Sequence, residues 1–212
     1  MLGHPPCIRQ DHGQRSGVFP GGEILIALKA PLSEETVRSL KLGDTCYVSG
    51  LVITGRDEMH IRAMEYVKEG KEVPKDIEES VLFHCGPIMR QRDDGSWAVV
   101  AAGPTTSARM NKLEPDFIRK FHVRAIIGKG GMSKDTIEAM KEVGCVYLAA
   151  TGGAAVSLAE GLRKCVGVEW QDLGMAEAMW RFDSDKFGPL VVAIDANGNS
   201  LYDKVNSSLV RL

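Results

Sequence analysis

The chain has 212 residues, enough for about one and a half typical domains, so one large domain or a domain with an appendage is expected. Hydrophobic residues at 44% and charged residues at 25% exclude wholesale disorder, and a net charge of −2 excludes the broad basic footprint of a general nucleic-acid binder. No apolar run approaches the ~18 residues of a membrane span and the opening residues lack a signal-peptide core, so the chain reads as cytoplasmic, without membrane or nucleic-acid partners.

In chain order, residues 1–21 show no apolar periodicity and read as a flexible arm or leader, leaving 22–212 as a single domain. Gly22 to Leu28 reads as a strand. Ser33-Glu34-Glu35-Thr36 then caps a short helix with acids in its first turn. Thr45 to Thr54 is a β-branched strand interrupted by Gly50, and Asp57 caps a helix on which Met59, Ala63, Met64 and Val67 fall at helical spacing. Lys68 to Glu79, charged and containing Pro74, is a surface connection. Val81 to Phe83 is a strand, and Ile88 to Arg92 with Trp97 to Ala102 flank a hairpin turn at Asp93-Asp94-Gly95.

From Val123 the pattern repeats as strand, glycine loop and helix. Val123 to Ile127 leads through Gly128-Lys129-Gly130-Gly131 to a helix capped by Ser133 and closed by Gly144. Cys145 to Ala149 then leads through Thr151-Gly152-Gly153 to a helix from Ala154 to Lys164. Such alternation marks βαβ units around a parallel core. A helix near Leu173 to Trp180 and a hairpin through Asp195-Ala196-Asn197-Gly198 complete the expected order.

Strand-to-helix loops are where α/β proteins place ligands, because helix N-termini present free N–H groups. Arg56 opens a helix whose macrodipole disfavours a cation, which an adjacent anion would relieve; His60 follows one turn later. In Gly103-Pro104-Thr105-Thr106-Ser107-Ala108-Arg109-Met110, Pro104 suits the first position of a helix that would put Thr105 and Arg109 on one face. A hydroxyl beside a guanidinium fork is a carboxylate or phosphate site, although the same hydroxyls also serve as helix caps. Lys129 adds an ammonium on a glycine loop that has neither P-loop spacing nor a GxGxxG fingerprint. His84-Cys85 is adjacent in sequence, yet neighbours on a strand face opposite ways, so it reads as structural.

The cysteines define what is missing. Cys7, Cys46, Cys85, Cys145 and Cys165 are scattered, with no CxxC and no Cys/His cluster at zinc spacing, so buried reduced thiols and no metal site are expected. From the residues alone, a stand-alone anion- or nucleotide-binding module remains open beside an enzyme.

The combination Gly55-Arg56-Asp57 with His60, Gly103-Pro104-Thr105-Thr106-Ser107 with Arg109-Met110, Gly128-Lys129-Gly130-Gly131-Met132, Thr151-Gly152-Gly153-Ala154-Ala155 and Trp170-x-Asp172-Leu173-Gly174-Met175-x-Glu177 resembles the C-terminal domain of class I fumarate hydratases. It is equally similar to the β subunits of two-subunit fumarases and of L(+)-tartrate dehydratase, over about Gly22 to Lys204. The resemblance implies a swivelling β/β/α domain, an α/β fold with a mixed sheet core and flanking helices. It implies a reversible hydro-lyase acting on a C4 dicarboxylate: fumarate to (S)-malate, or alternatively tartrate to oxaloacetate.

Carried over by position, it assigns catalysis to Thr105, substrate binding to Arg56, Arg109 and Lys129, and supporting roles to His60, Thr106, Gly130 and Gly131. It also implies an α-type partner subunit, in an α2β2 assembly, that carries a [4Fe–4S] cluster; none is bound by this chain alone. The chemistry agrees with that division. Water elimination needs a Lewis acid at the leaving hydroxyl, a base for the carbon-bound proton, and cations for two carboxylates and the developing aci-carboxylate. The sequence offers the cations and a hydroxyl.

Overall fold

The computed structural model describes residues 9–11, 14–18, 24–150 and 155–209. Its strands and helices are β1 (Arg9–Asp11), β2 (Gln14–Val18), β3 (Ile24–Lys29), α1 (Glu34–Ser39), β4 (Thr45–Gly55), α2 (Asp57–Lys68), β5 (Val81–His84), β6 (Ile88–Gln91), β7 (Trp97–Ala101) and α3 (Glu114–Phe121). They continue as β8 (Ala125–Gly128), α4 (Lys134–Val143), β9 (Val146–Ala149), α5 (Ala155–Gly161), β10 (Lys164–Glu169), β11 (Met179–Ile194) and α6 (Leu201–Leu209). The architecture is mixed α/β, a sheet core with six helices among the described residues. No helix among them is long and apolar enough to cross a membrane.

Helix ends follow local chemistry. The Ser33 hydroxyl accepts the Thr36 N–H at 3.1 Å to start α1, and Ser133 accepts the Thr136 N–H at 3.3 Å to start α4. Gly144 closes α4 at φ 73°, a left-handed conformation that glycine adopts without steric cost.

The strands β3, β4, β5, β8 and β9 run parallel in that order. β11 is antiparallel to β9 and to β4, so the sheet returns on itself and β4, β5, β8, β9 and β11 form a closed ring. The 16 residues of β11 make this possible: Arg181 to Val191 border β4, and Val191 to Ile194 border β9. β6 and β7 form a separate hairpin, as the turn residues predict.

Successive strand residues point to opposite faces, and here both faces are buried. Val81 and Phe83, Ala125 and Ile127, and Val146 and Leu148 enter one core with Val48, Phe182, Phe187 and the α1 and α5 residues Val37 and Leu158. Leu82, Ile126 and Tyr147 enter the other, under Met59 of α2, Phe117 and Phe121 of α3, and Met140 of α4. Each fully buried large apolar side chain contributes about 1.5–3 kcal/mol by area.

Four expectations change. Arg9–Asp11 and Gln14–Val18, expected in a loose arm, are strands, with β2 antiparallel to β3. Main-chain pairing satisfies an open sheet edge without any apolar pattern, so periodicity misses it. The helix expected near Leu173 to Trp180 is a 3₁₀ turn at Gln171–Leu173 followed by the start of β11. Trp180 is held in strand by its N–H donating to Thr54 Oγ1 at 3.1 Å, and its indole N–H donates to the Met175 carbonyl at 2.8 Å. The turn through Asp195 to Gly198 forms, but a single bridge between Ile194 and Ser200 replaces the second strand and α6 follows. The cap of α2 is Arg56, with Asp57 the first helical residue. Thr151, Gly152, Gly153 and Ala154 lie outside the described residues.

Phe187 is fully buried and meets Phe83 edge to face, with ring centroids 5.1 Å apart. Phe187→Ala is expected to cost about 3–5 kcal/mol of unfolding free energy, read as a lower urea midpoint at unchanged slope. A loss below about 1 kcal/mol would mean that the closure of β11 on β4 does not rest on this packing.

Candidate active site

The loops leaving the carboxyl ends of parallel strands meet along one edge of the sheet. Gly55 at the end of β4 pairs with His84 at the end of β5, and Gly128 at the end of β8 pairs with Ala149 at the end of β9. Residues 103–107 are stitched across this edge. Pro104 bridges Cys85, Thr106 bridges Lys129, the Thr105 N–H donates to the His84 carbonyl at 2.7 Å, and the Ser107 N–H donates to the Lys129 carbonyl at 3.0 Å. Thr105 therefore spans the ends of β5 and β8 with its backbone anchored on β5 and its side chain half-buried.

This stitching excludes the helix expected from Pro104. Backbone groups engaged with β5 and β8 cannot also close helical turns, so only a 3₁₀ turn forms at Ser107–Met110. Thr105 and Arg109 thus share a loop and not a helix face. Both remain on the same edge, because Arg109 Nη2 lies 3.1 Å from Oδ2 of Asp57 at the start of α2.

Arg56 holds the cap position of α2 without any side-chain capping bond. The anion that would relieve its unfavourable position comes from the chain itself. Glu177 Oε1 lies 3.2 Å from Arg56 Nη2, and Glu177 Oε2 accepts the Glu58 N–H at 3.1 Å. One carboxylate so compensates both the helix terminus and the guanidinium. Gly86 makes the close approach possible, since a Cβ there would fall 2.8 Å from Arg56 Nη1. Lys129 is exposed and has no ion-pair partner among the described residues. Thr106 is exposed, Gly130 turns the loop at φ 77° beside the Thr106 methyl, and Gly131 faces the Tyr202 ring.

His60 does not reach the open edge. It is wholly buried, with Nδ1 2.7 Å from the Arg56 carbonyl and Nε2 3.3 Å from Glu114 Oε2. His84 Nε2 lies 3.2 Å from the same oxygen, and His84 Nδ1 lies 2.9 Å from Ser107 Oγ. Ser107 Oγ in turn accepts the Tyr147 hydroxyl at 2.9 Å. Burial opposes charge on Glu114, but the two imidazoles overcome it and hold the carboxyl well below the usual carboxylate range. Burial likewise pushes His60 down, and the Glu114 charge more than offsets it, so His60 titrates above its ordinary value. Sequence reasoning missed Glu114 and set His84 aside as structural. Their only signal was a histidine at a strand end and a glutamate before a helix-start proline.

The cysteines do not fit an iron–sulfur cluster among the described residues. Cys46, Cys85 and Cys145 are fully buried on or beside different strands, Cys165 is half-buried on β10, and no group of them converges. Burial pushes the Cys46 and Cys85 thiols up to about 12, far from ready thiolates.

Arginines paired with resident carboxylates therefore lie on the carboxyl edge of a mixed, closed sheet. Residues 8–205 match the family model described as fumarase C-terminus, and the chain belongs to that family. The match begins inside the segment expected to lie outside the family pattern. The chain is 45% identical over 179 residues to the putative L(+)-tartrate dehydratase subunit beta of Methanocaldococcus jannaschii, covering 84% of this chain and 91% of that one. It is 36% identical to the L(+)-tartrate dehydratase subunit beta of Escherichia coli K12, over 82% of this chain and 85% of that one. It is 41% identical to the putative fumarate hydratase class I of Geobacillus stearothermophilus over 87% of this chain, but spans only 35% of that longer protein.

The Ser107 hydroxyl links Tyr147 to His84 beneath the Thr105 loop. Ser107→Ala is expected to cost about 1–3 kcal/mol by stranding two buried polar groups. Tyr147→Phe in the same background should then cost less than it does alone, a coupling of about 0.5 kcal/mol or more in a double-mutant thermal unfolding cycle. Strict additivity would mean that the two hydroxyls do not act together.

Proposed function

We propose that this chain is the β subunit of a two-subunit hydro-lyase that adds water reversibly to a C4 dicarboxylate, fumarate to (S)-malate. What supports the reading is that the loops bearing Arg56, Arg109, Lys129 and the anchored Thr105 all leave one sheet edge, with Arg56 and Arg109 each beside a resident carboxylate. Each guanidinium has five N–H donors, and the Glu177 and Asp57 contacts use one nitrogen apiece. Arg56 and Arg109 therefore keep donors for a carboxylate while their own carboxylates hold them in place. Lys129 supplies a third, mobile positive charge.

Such a set binds two carboxylates and stabilises the extra negative charge that builds on one of them when the adjacent carbon loses a proton. Thr105 is the residue for that proton. Its hydroxyl is a weak base at ordinary acidity, so neighbouring cations and a carboxylate from the partner are required to activate it. Thr106, Gly130 and Gly131 shape the loop that carries Lys129, and His60 acts from behind through the Arg56 carbonyl. We assign any [4Fe–4S] cluster, and the Lewis acid it would supply, to an α-type partner, because the thiols of this chain do not fit one.

Tartrate is the second reading, favoured by the two relatives named tartrate dehydratase subunit beta that match nearly end to end. Fumarate and tartrate routes differ by one substrate hydroxyl. Anaerobic co-expression with the α-type subunit, followed by absorbance assays on fumarate, malate, and L- and meso-tartrate, separates them. No turnover of any substrate by a cluster-bearing complex would end the enzyme reading.

In that complex, Thr105→Val is expected to lower kcat by about 10²–10⁴-fold with little change in KM. Near-normal kcat would remove Thr105 from the chemistry. Arg109→Lys should lower kcat/KM by roughly tenfold or more, since an ammonium cannot reproduce a planar fork. Unchanged kinetics would remove Arg109 from the site.

A further inference from the structure

Beneath the open edge, three side chains from three elements point their functional atoms at one another: His60 from α2, His84 from the end of β5 and Glu114 from the start of α3. We propose that His60 Nε2, His84 Nε2 and Glu114 bind one divalent cation of the zinc type, as a closed structural site. The proposal does not depend on the enzymatic reading.

Geometry carries it. The two Nε2 atoms lie 3.3 and 3.2 Å from the same carboxylate oxygen, and the three ligating atoms fall within 4.8 Å of one another. A tetrahedral zinc ion with bonds of about 2.0–2.1 Å to nitrogen and oxygen has ligand-to-ligand edges of about 3.3–3.4 Å. Yet no directed hydrogen bond joins these atoms. His60 Nε2, His84 Nε2, Glu114 Oε1 and Glu114 Oε2 are all buried and all without a hydrogen-bond partner. The two nitrogen–oxygen separations match such a tetrahedral edge, and the two nitrogens, within 4.8 Å of each other, would draw together on a shared ion.

The outer contacts agree. A carbonyl only accepts, so His60 Nδ1, 2.7 Å from the Arg56 carbonyl, carries a proton. A neutral His60 would then aim the Nε2 lone pair at a carboxylate, so either a second proton or a metal ion has to stand between the two atoms. His84 Nδ1 is held by Ser107 Oγ, itself held by the Tyr147 hydroxyl. Metal-bound histidines have this pattern: the far nitrogen is engaged by a carbonyl or hydroxyl that sets the tautomer and ring orientation. The unpartnered Glu114 Oε1 lies on the same carboxylate and would add a chelating contact, and the Phe117 ring, 4.4 Å from the His60 ring centroid, helps keep the pocket dry. Two imidazoles and a carboxylate suit zinc among the common divalent ions. The ion would tie together the carbonyl of Arg56, the strand end that anchors Thr105, and the first turn of α3.

The site is closed, so loading has to accompany folding. The test is to unfold the full chain, without a histidine tag, in guanidinium chloride and refold it with Co²⁺ or Zn²⁺. Unbound metal is then removed by gel filtration. The expected result is about one metal per chain, with the intense visible absorption of tetrahedral Co²⁺ and a higher Tm than the metal-free refolded chain. Glu114→Gln should abolish the absorption, and Ser107→Ala should weaken retention by about 10–100-fold as an outer-contact change. A colourless, metal-free wild-type chain with unchanged Tm would overturn the proposal and leave a protonated His60 paired with Glu114. Absorption that survives both Glu114→Gln and Ser107→Ala would also overturn it, since the metal would then lie elsewhere.

Discussion

Everything at the open edge depends on one constraint: parallel strands of a closed sheet end at the same level, and the 103–107 segment is bonded across those ends. The Thr105 N–H on the His84 carbonyl and the Ser107 N–H on the Lys129 carbonyl convert two strand termini into a rigid platform. A loop anchored on rigid elements holds its side chains with far less motion than a free connection would. Gly128 is part of the same constraint. A Cβ there would collide with Ser107 Oγ and crowd the Tyr147 hydroxyl, so only glycine lets the stitched segment lie against β8.

The closure that creates this platform also explains which elements were readable. Strands buried on both faces, such as Ile126-Ile127 and Val146-Tyr147-Leu148, read as short continuous apolar runs, and the caps Ser33, Ser133 and Gly144 mark their helices chemically. What long-range pairing decides was not readable. Trp180 lies in helical spacing, yet its backbone is claimed by Thr54 on a strand more than a hundred residues earlier. The 104–107 stretch carries a helix-start composition, yet β5 and β8 take its hydrogen bonds. In both, a tertiary partner outbids local propensity for the same backbone groups.

On the open edge, the cations stood out in the sequence because each is unusual where it stands. Arg56 opposes the macrodipole of its own helix, and Lys129 sits alone among glycines. Their partners were not legible. Glu177 and Asp57 look like ordinary surface acids, and nothing in their spacing says that one compensates a helix start while the other meets a distant guanidinium. Glu114 was the deepest omission, since a glutamate before a proline reads as an exposed first-turn residue and is instead wholly buried.

Those partners bear on how a cationic edge survives in a slightly acidic chain before any substrate arrives. Unpaired guanidiniums side by side would repel one another and drift on their flexible stems. Glu177 and Asp57 offset that repulsion and give each fork a resident contact, so on the proposed function an incoming dicarboxylate would meet donors already partly aimed. The same pairing limits affinity, because the arriving carboxylate competes with a resident one for each arginine. On the proposed function, a site built this way would favour binding where charge increases during reaction, since a resident carboxylate of fixed charge would lose that competition as an aci-carboxylate developed. Lys129, without an ion-pair partner among the described residues, would on that reading be the cation free to follow the charge.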